Sequence, residues 1–441
     1  MTTPWTTNGP IGTDAFSFSD GRLPVVSSAS SVEHTFATAG KKFVAVSQST
    51  DDFLADETAT TSTAIMVGAD YTAVTPARIL DTRSGIGVGQ AGAIPPGADL
   101  VLPIPSIGAV SASDISGIVA NVTVTEPTAG GSLTVYSVPG TGTATSTINF
   151  SAHETVPNLV TAQPTGGVIR FHNGSAGTVQ VVADLEGYYS NGGNGFTPLT
   201  PVRVLDTRNG TGAPAQPVAA GGQVRLDLSG SLPAGAAAAV LNVTVTQPKA
   251  PGFLTAYPDG QPVPTASNLN FTSGETVPNL VIVPVTDGKA DFYNGSGGTV
   301  QVVADLDGYF GSTGTDSFVP EGPTRIVDTR VALGAPKGPL RPGGTLVIAP
   351  STETGCVPTC PSDTADVLNV TVTQAKANGF LTVYPSGQSR PTSSNLNFSA
   401  GETVPNLVTV RNVSGEISIY NGSGGSVQVV VDEDGYYIGA P

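Results

Sequence analysis

The chain has 441 residues, only 12% of them charged, and a formal net charge of −16 with six lysines in all. That balance leaves no electrostatic footprint for nucleic acid or an anionic membrane surface, and both are excluded as partners. Gly (55) and Pro (36) make the chain turn-rich and helix-poor, while 39% hydrophobic residues in alternating runs exclude disorder.

Residues 1–70 differ in character from the rest of the chain. Val32 to Thr38, Lys42 to Ser47 and Thr61 to Val67 alternate as strands do. Alone they can barely bury a core, because isolated hairpins are marginal in water. The region is therefore expected to be an attachment element, stabilised by a partner or by the first repeat. Its first 21 residues carry no Lys or Arg and no apolar run, and the whole chain has no stretch of 18 apolar residues. Neither a signal peptide nor a membrane insertion is visible.

From residue 71 onward one segment is written three times, which predicts domains over 71–192, 196–313 and 317–441. Arg78-Ile-Leu-Asp81-Thr-Arg83 returns as Arg203-Val-Leu-Asp206-Thr-Arg208 and as Arg325-Ile-Val-Asp328-Thr-Arg330, so this motif holds six of the twelve arginines. The period is domain-sized, unlike the shorter units that must stack into solenoids. Asn121 to Tyr188, Asn242 to Tyr309 and Asn369 to Tyr436 each span 67 residues. Length varies only in front of these asparagines, which marks a surface loop there.

Inside the repeat, Val240-Leu-Asn-Val-Thr-Val-Thr246 alternates, with Leu241, Val243 and Val245 on one face and Asn242, Thr244 and Thr246 on the other. Tyr293-Asn-Gly-Ser-Gly-Gly-Thr299 reads as the turn of a hairpin. Short strands between Gly, Pro and Asn clusters make the fold class all-β: three tandem antiparallel β-sandwiches, immunoglobulin-like or jelly-roll, behind a small β-rich N-terminal region. The linkers Ser190 to Gly195 and Gly311 to Asp316 are short and flexible, which predicts a rod of loosely coupled domains.

Chemistry is sparse. Arg78, Asp81, Arg83, Arg203, Asp206, Arg208, Arg325, Asp328 and Arg330 could recognise sugars or acids, but in so charge-poor a chain they read first as structural ion pairs, with Asp184, Asp305 and Asp432 as partners. The closing motifs put carboxylates at i and i+2 before a glycine expected to form a turn. Asp305, Asp307, Asp432 and Asp434 are accordingly weak calcium candidates, supplying two of the six to eight oxygens required. Tyr257, Asn268, Asn270 and Tyr293, with Tyr384, Asn395, Asn397 and Tyr420, are residue types that stack on and hydrogen-bond to glycans, though the asparagines equally suit turn closure. Cys356 and Cys360 suggest a local disulfide. Asn121, Asn242 and Asn369 match the glycosylation sequon but lie in a strand pattern. His34, His153 and His172 are too scattered for a triad or metal centre, and no cofactor motif, nucleophile elbow or phosphate loop is present. The chain reads as a non-enzyme.

These motifs resemble a repeat family of actinobacterial surface and secreted proteins and of their bacteriophages. The features that carry the resemblance are the arginine motif at Arg203 to Arg208, Leu241 to Thr246, Gly252 to Pro258, Ser267 to Phe271, Glu275 to Val281 and Asp305 to Tyr309. The first repeat departs from the pattern at Ser146 to Phe150 and at His172. The resemblance covers about residues 71–438 and implies non-catalytic β modules exposed at an envelope or particle surface. With the missing signal peptide, it points to a structural protein of an actinobacteriophage or phage-tail-like particle. In that reading residues 1–70 dock to other particle proteins, and the sandwiches contact host-envelope glycans, as capsid decoration or tail fibre. The alternative is a bacterial surface adhesin or wall-associated carbohydrate-binding module. A homo-oligomer is left open.

Overall fold

In a computed structural model, described over residues 2–4, 14–27, 32–52, 55–140, 145–350 and 362–439, each repeat is an eight-stranded sandwich of two antiparallel sheets. In the second repeat the strands are Gly195–Asp206, Gln223–Asp227, Ala236–Thr246, Gly252–Pro258, Leu269–Phe271, Val277–Pro284, Lys289–Asn294 and Gln301–Gly311. One sheet runs first, eighth, third, sixth, and the other second, seventh, fourth, fifth; all three repeats share this order. Two interlocked Greek keys of this kind make a jelly roll, which settles the open choice of sandwich. Leu241, Val243 and Val245 point into the sandwich beside Leu254, Phe292 and Leu306, and each repeat has its own such core.

The three sandwiches do not form a rod. A further core draws on all of them, joining Val119, Leu159 and Tyr189 to Val240, Leu280 and Phe310 and to Val367, Leu407 and Tyr437. The first-eighth-third-sixth sheets thus turn their second faces toward one pseudo-threefold axis. The face carrying Asn242 and Thr244 is buried as well, between repeats.

Six mid-strand asparagines close this ring. Asn158, Asn279 and Asn406 are buried. Each donates from Nδ2 to the next asparagine's Oδ1 in another repeat: Asn279 to Asn121 (2.8 Å), Asn406 to Asn242 (3.1 Å) and Asn158 to Asn369 (3.0 Å). Each Oδ1 accepts a neighbouring repeat's backbone N–H, from Leu407 to Asn158 (3.0 Å), Leu159 to Asn279 (3.1 Å) and Leu280 to Asn406 (3.2 Å). Asn121, Asn242 and Asn369 donate in turn to the carbonyls of Ser267, Ser394 and Ser146. The sequon positions are therefore interface residues.

The linkers form a collar instead of hinges. Tyr71 pairs with Asn194, Phe196 with Asp316 and Phe318 with Ala69, so the three entering strands bond to one another in a circle. A Cβ on Gly195 would lie 2.2 Å from the carbonyl oxygen of Gly314, so this close approach requires glycine. Inside the collar the ring centroids pair across repeats, Tyr71 on Phe310 (4.3 Å), Phe196 on Tyr437 (4.3 Å) and Phe318 on Tyr189 (4.4 Å), and the Tyr189 and Tyr437 hydroxyls meet at 2.6 Å. Each such buried aromatic contributes about 1.5–3 kcal/mol relative to exposure. The glycine of each closing motif makes no turn. Gly187, Gly308 and Gly435 lie within the eighth strands, where a Cβ would strike the rings of Tyr71, Phe196 and Phe318 at 2.6 Å or less.

Ahead of the ring, Asp14–Phe18, Val25–Ser27, Gly40–Asp52 and Ala55–Val67 form a four-stranded antiparallel sheet, with Phe16, Phe18, Phe36 and Val44 in a small core. It rests on the third repeat through Met66 against Val319, Tyr436 and Ile438, and on the first through Asn191 Nδ2 to the Phe36 carbonyl (2.7 Å). The third repeat, and not the first alone, thus supports the N-terminal region. Among the described residues no helix is long and apolar enough to cross a membrane.

Replacing Asn279 with Ala leaves the Asn121 oxygen, the Leu159 N–H and the Asn268 carbonyl without this partner. At about 1–3 kcal/mol per stranded buried group, urea denaturation should show a loss of about 3–5 kcal/mol, whereas exposed Asn209 replaced by Ala should change stability by under about 1 kcal/mol.

Candidate functional site

The repeated arginine motif ends the first strand of each sandwich, beside the eighth. Arg203 donates from Nε and Nη2 to both oxygens of Asp305 (2.9 and 3.0 Å); Arg78 does the same to Asp184 (2.9 and 3.1 Å) and Arg325 to Asp432 (2.8 and 3.0 Å). These guanidiniums also reach the adjoining repeat, Arg78 at the Thr265 carbonyl (3.3 Å) and Arg203 at the Thr392 carbonyl (3.4 Å). The second arginine turns back on the motif's own aspartate: Arg83 grips Asp81 (2.9 and 2.8 Å), Arg208 grips Asp206 (2.8 and 2.7 Å) and Arg330 grips Asp328 (2.8 and 2.6 Å). Hydrogen bonds from these arginines hold the three carboxyls below their ordinary value, against the opposing effect of burial. The Nε–Nη2 edge of each guanidinium is spent on an aspartate of the protein.

The calcium reading fails on the same contacts. Asp305 and Asp432 give both oxygens to a guanidinium, while Asp307 and Asp434 are buried and pushed well above the carboxylate range, first by burial and then by the charge two residues away. A cation site needs ionised oxygens converging on one point.

The glycan set is divided. Tyr257, Tyr384, Asn268 and Asn395 are buried and cannot meet a sugar. The loop after each fourth strand folds back over the sheet: Asn268 Oδ1 accepts the Ala256 N–H (2.7 Å), Asn395 Oδ1 accepts the Val383 N–H (2.8 Å), and the Tyr257 hydroxyl donates to Gln223 (2.8 Å). Tyr293 and Tyr420 are half-buried on the outer sheets, paired with Phe253 and Phe380 at 6.4 Å, and the Arg390 guanidinium lies 3.8 Å over the Tyr420 ring. Asn270 and Asn397 are half-buried elsewhere, at the end of the axis opposite the collar. Cys356 and Cys360 lie outside the described residues.

That opposite pole is the arrangement the sequence did not announce. Glu154, Glu275 and Glu402 converge there with their carboxylates within 4.8 Å of one another, ringed by Asn149, Asn270 and Asn397 and by Pro157, Pro278 and Pro405. Each carboxylate accepts a backbone N–H three residues back, from Ser151, Thr272 or Ser399 (2.6 Å each). Burial, and then the charges of Glu154 and Glu275, raise Glu402 despite its hydrogen bond. Chemically the trio could accept a small cation or a basic side chain. Its signal was the Glu-Thr-Val-Pro-Asn run in all three copies, which means nothing until the repeats are known to share an axis.

No family model matches the chain, and no curated protein matches it. Among solved structures it is similar to one from an archaeal virus with a triple jelly-roll fold and turret assembly (11% identity, 85% of this chain and 90% of that chain, TM-score 0.17). It is also similar to one from the Sulfolobus turreted icosahedral virus (12% identity, 90% and 91%, TM-score 0.16) and to the major capsid protein P2 of bacteriophage PM2 (11% identity, 50% and 93%, TM-score 0.14). At such TM-scores none of these likenesses carries an argument. The jelly-roll assignment stands on strand order alone.

Replacing Arg203 with Ala strands Asp305 in the interface, and thermal or urea denaturation should show a loss of about 3 kcal/mol. Because Asp81, Asp206 and Asp328 have depressed values when folded, their contribution is present above the ordinary aspartate value of 3.8 and lost as the pH falls below it. Stability measured from about pH 5 to about pH 2 should decline accordingly.

Proposed function

We propose that the chain is a non-enzymatic structural protein of an actinobacteriophage or phage-tail-like particle. Residues 1–70 would join it to the assembly, and the three jelly rolls would project toward the host envelope. The observation that carries this reading is the polarity of the ring. The four-stranded N-terminal sheet sits at the collar end, with its Met66 against Val319 and Ile438 of the third repeat, and the glutamate pole and outer sheets are left at the other end and around the sides. One end suited to attachment and one to presentation is what a particle appendage requires. The sequence resemblance supplies the actinobacterial and phage setting. The half-buried Phe253 and Tyr293 and Phe380 and Tyr420 pairs favour the second reading, a wall-associated carbohydrate-binding module of a bacterial surface protein, because paired rings on an open sheet suit sugar stacking.

Adding the purified full chain to particles that lack it, and separately to isolated actinobacterial cell walls, tests the two. Saturable recovery with the particles is expected. Saturable binding to walls with none to particles would replace the particle reading with the adhesin one.

A further inference from the structure

The eighth strand of every repeat carries a β-bulge at the same place, and a carboxylate occupies it each time. Pairing to the third strand skips Glu186 between Leu185 and Gly187, Asp307 between Leu306 and Gly308, and Asp434 between Glu433 and Gly435. A bulge re-aims its side chain, and Glu186 shows where: Oε1 accepts Asn268 Nδ2 of the second repeat at 2.5 Å, and the backbone N–H of Ile282 in that repeat reaches the same carboxylate. All three residues are buried, and neither oxygen of Asp307 has a hydrogen-bond partner.

The groups around them are few. Glu186 faces Asp184 on its own strand, with the Tyr71 hydroxyl on its carbonyl and Asn268 and Ile282 from the second repeat. Asp307 faces Asp305 and Asp434 faces Asp432, whose arginines, Arg203 and Arg325, are already committed to those aspartates. Glu433, beside Asp434, takes the place of the core leucines Leu185 and Leu306 within the third sandwich. Among the described residues no ion pair reaches Glu186, Asp307 or Asp434.

We propose that these three bulge carboxylates make closure of the ring alkali-sensitive: protonated, they let neighbouring repeats seat against each other, and ionised, they force the repeats apart at the axis. Burial, reinforced by Asp184, pushes Glu186 up to about 8, and Asp307 and Asp434 lie well above the ordinary range for the same reasons. Folded-state values above the exposed ones mean that the closed ring holds more protons than the open ring from near 4 upward. Closure is therefore strongest below the exposed values of 4.5 for Glu and 3.8 for Asp, and weakens as the pH rises through that of the closed state. Each such proton shifts the equilibrium by about tenfold per pH unit within its window. Asp366, also raised to about 8 and facing Asp363, pairs with Val410 and Tyr436 inside the third repeat, so its ionisation loosens one sandwich and not the ring.

The test is amide hydrogen exchange on the full chain at about pH 6 and about pH 9, corrected for intrinsic exchange chemistry. It follows the Leu159, Leu280 and Leu407 amides, which bond across repeats. Their protection relative to sandwich-core amides such as Val243 should fall at least about tenfold at the higher pH, and the Glu186→Gln, Asp307→Asn, Asp434→Asn triple variant should lose most of that fall. An unchanged ratio in the natural chain, or an equal fall in the triple variant, overturns the proposal. Should the triple variant not fold, Asp307→Asn alone must show a smaller fall than the natural chain, and an equal one overturns it.

Discussion

Everything in this molecule depends on an amide placed where a strand offers it no partner. Asn158, Asn279 and Asn406 sit mid-strand on the edge strand of each sheet, where no further strand of their own repeat pairs with them, and a buried amide or edge N–H without partners costs more than its strand can return. The adjacent repeat supplies both a carbonyl and an N–H, and because each repeat asks the same of its neighbour the demand closes only after three. The invariant 67-residue spacing reflects this demand. The asparagine ring and the collar lie at different heights on one axis, and the strands between them fix that separation. Variation is tolerated in front of the asparagines, where the chain faces outward.

The eighth strand shows how the surroundings divide two carboxylates that sequence would call a pair. Asp305 meets a guanidinium and both its oxygens are satisfied, whereas Asp307, two residues on, is set off the ladder by a bulge and buried with neither oxygen hydrogen-bonded. Sequence spacing grouped both as metal candidates. Their separation depends on a backbone irregularity and on a neighbouring domain, and neither is written in the spacing.

The legible part of the fold was what each repeat decides alone. Alternation at Val240 to Thr246 located a strand, and the glycine-rich run after Tyr293 located a hairpin. The two-layer architecture followed from composition, and jelly-roll order emerged only from strand pairing. What stayed hidden belongs to contacts between repeats. Asn242 looked like the polar face of a half-buried strand because alternation cannot distinguish water from another protein surface, and Gly308 looked like a turn because its true reason is the Phe196 ring lying against it. The short linkers suggested freedom, since nothing in Gly311 to Asp316 reveals that Asp316 will bond to Phe196 across the axis. The glycan candidates failed where Tyr257 and Tyr384 proved buried, a matter of long-range packing that residue type cannot report.

The collar has a consequence for how such a ring can change. Three separate identical chains would have to show the same exterior three times, so any alteration on one side would be imposed on all. Joined through Asn194 and Asp316, the three units obey a shared rule only where they touch, and their outsides are at liberty to drift. That drift is visible: the position of Tyr293 and Tyr420 holds His172 in the first repeat, bonded through Nδ1 to Asp99 at 2.8 Å, and that of Phe253 and Phe380 holds Ser132. One chain thus sets three independently variable faces around a fixed hub.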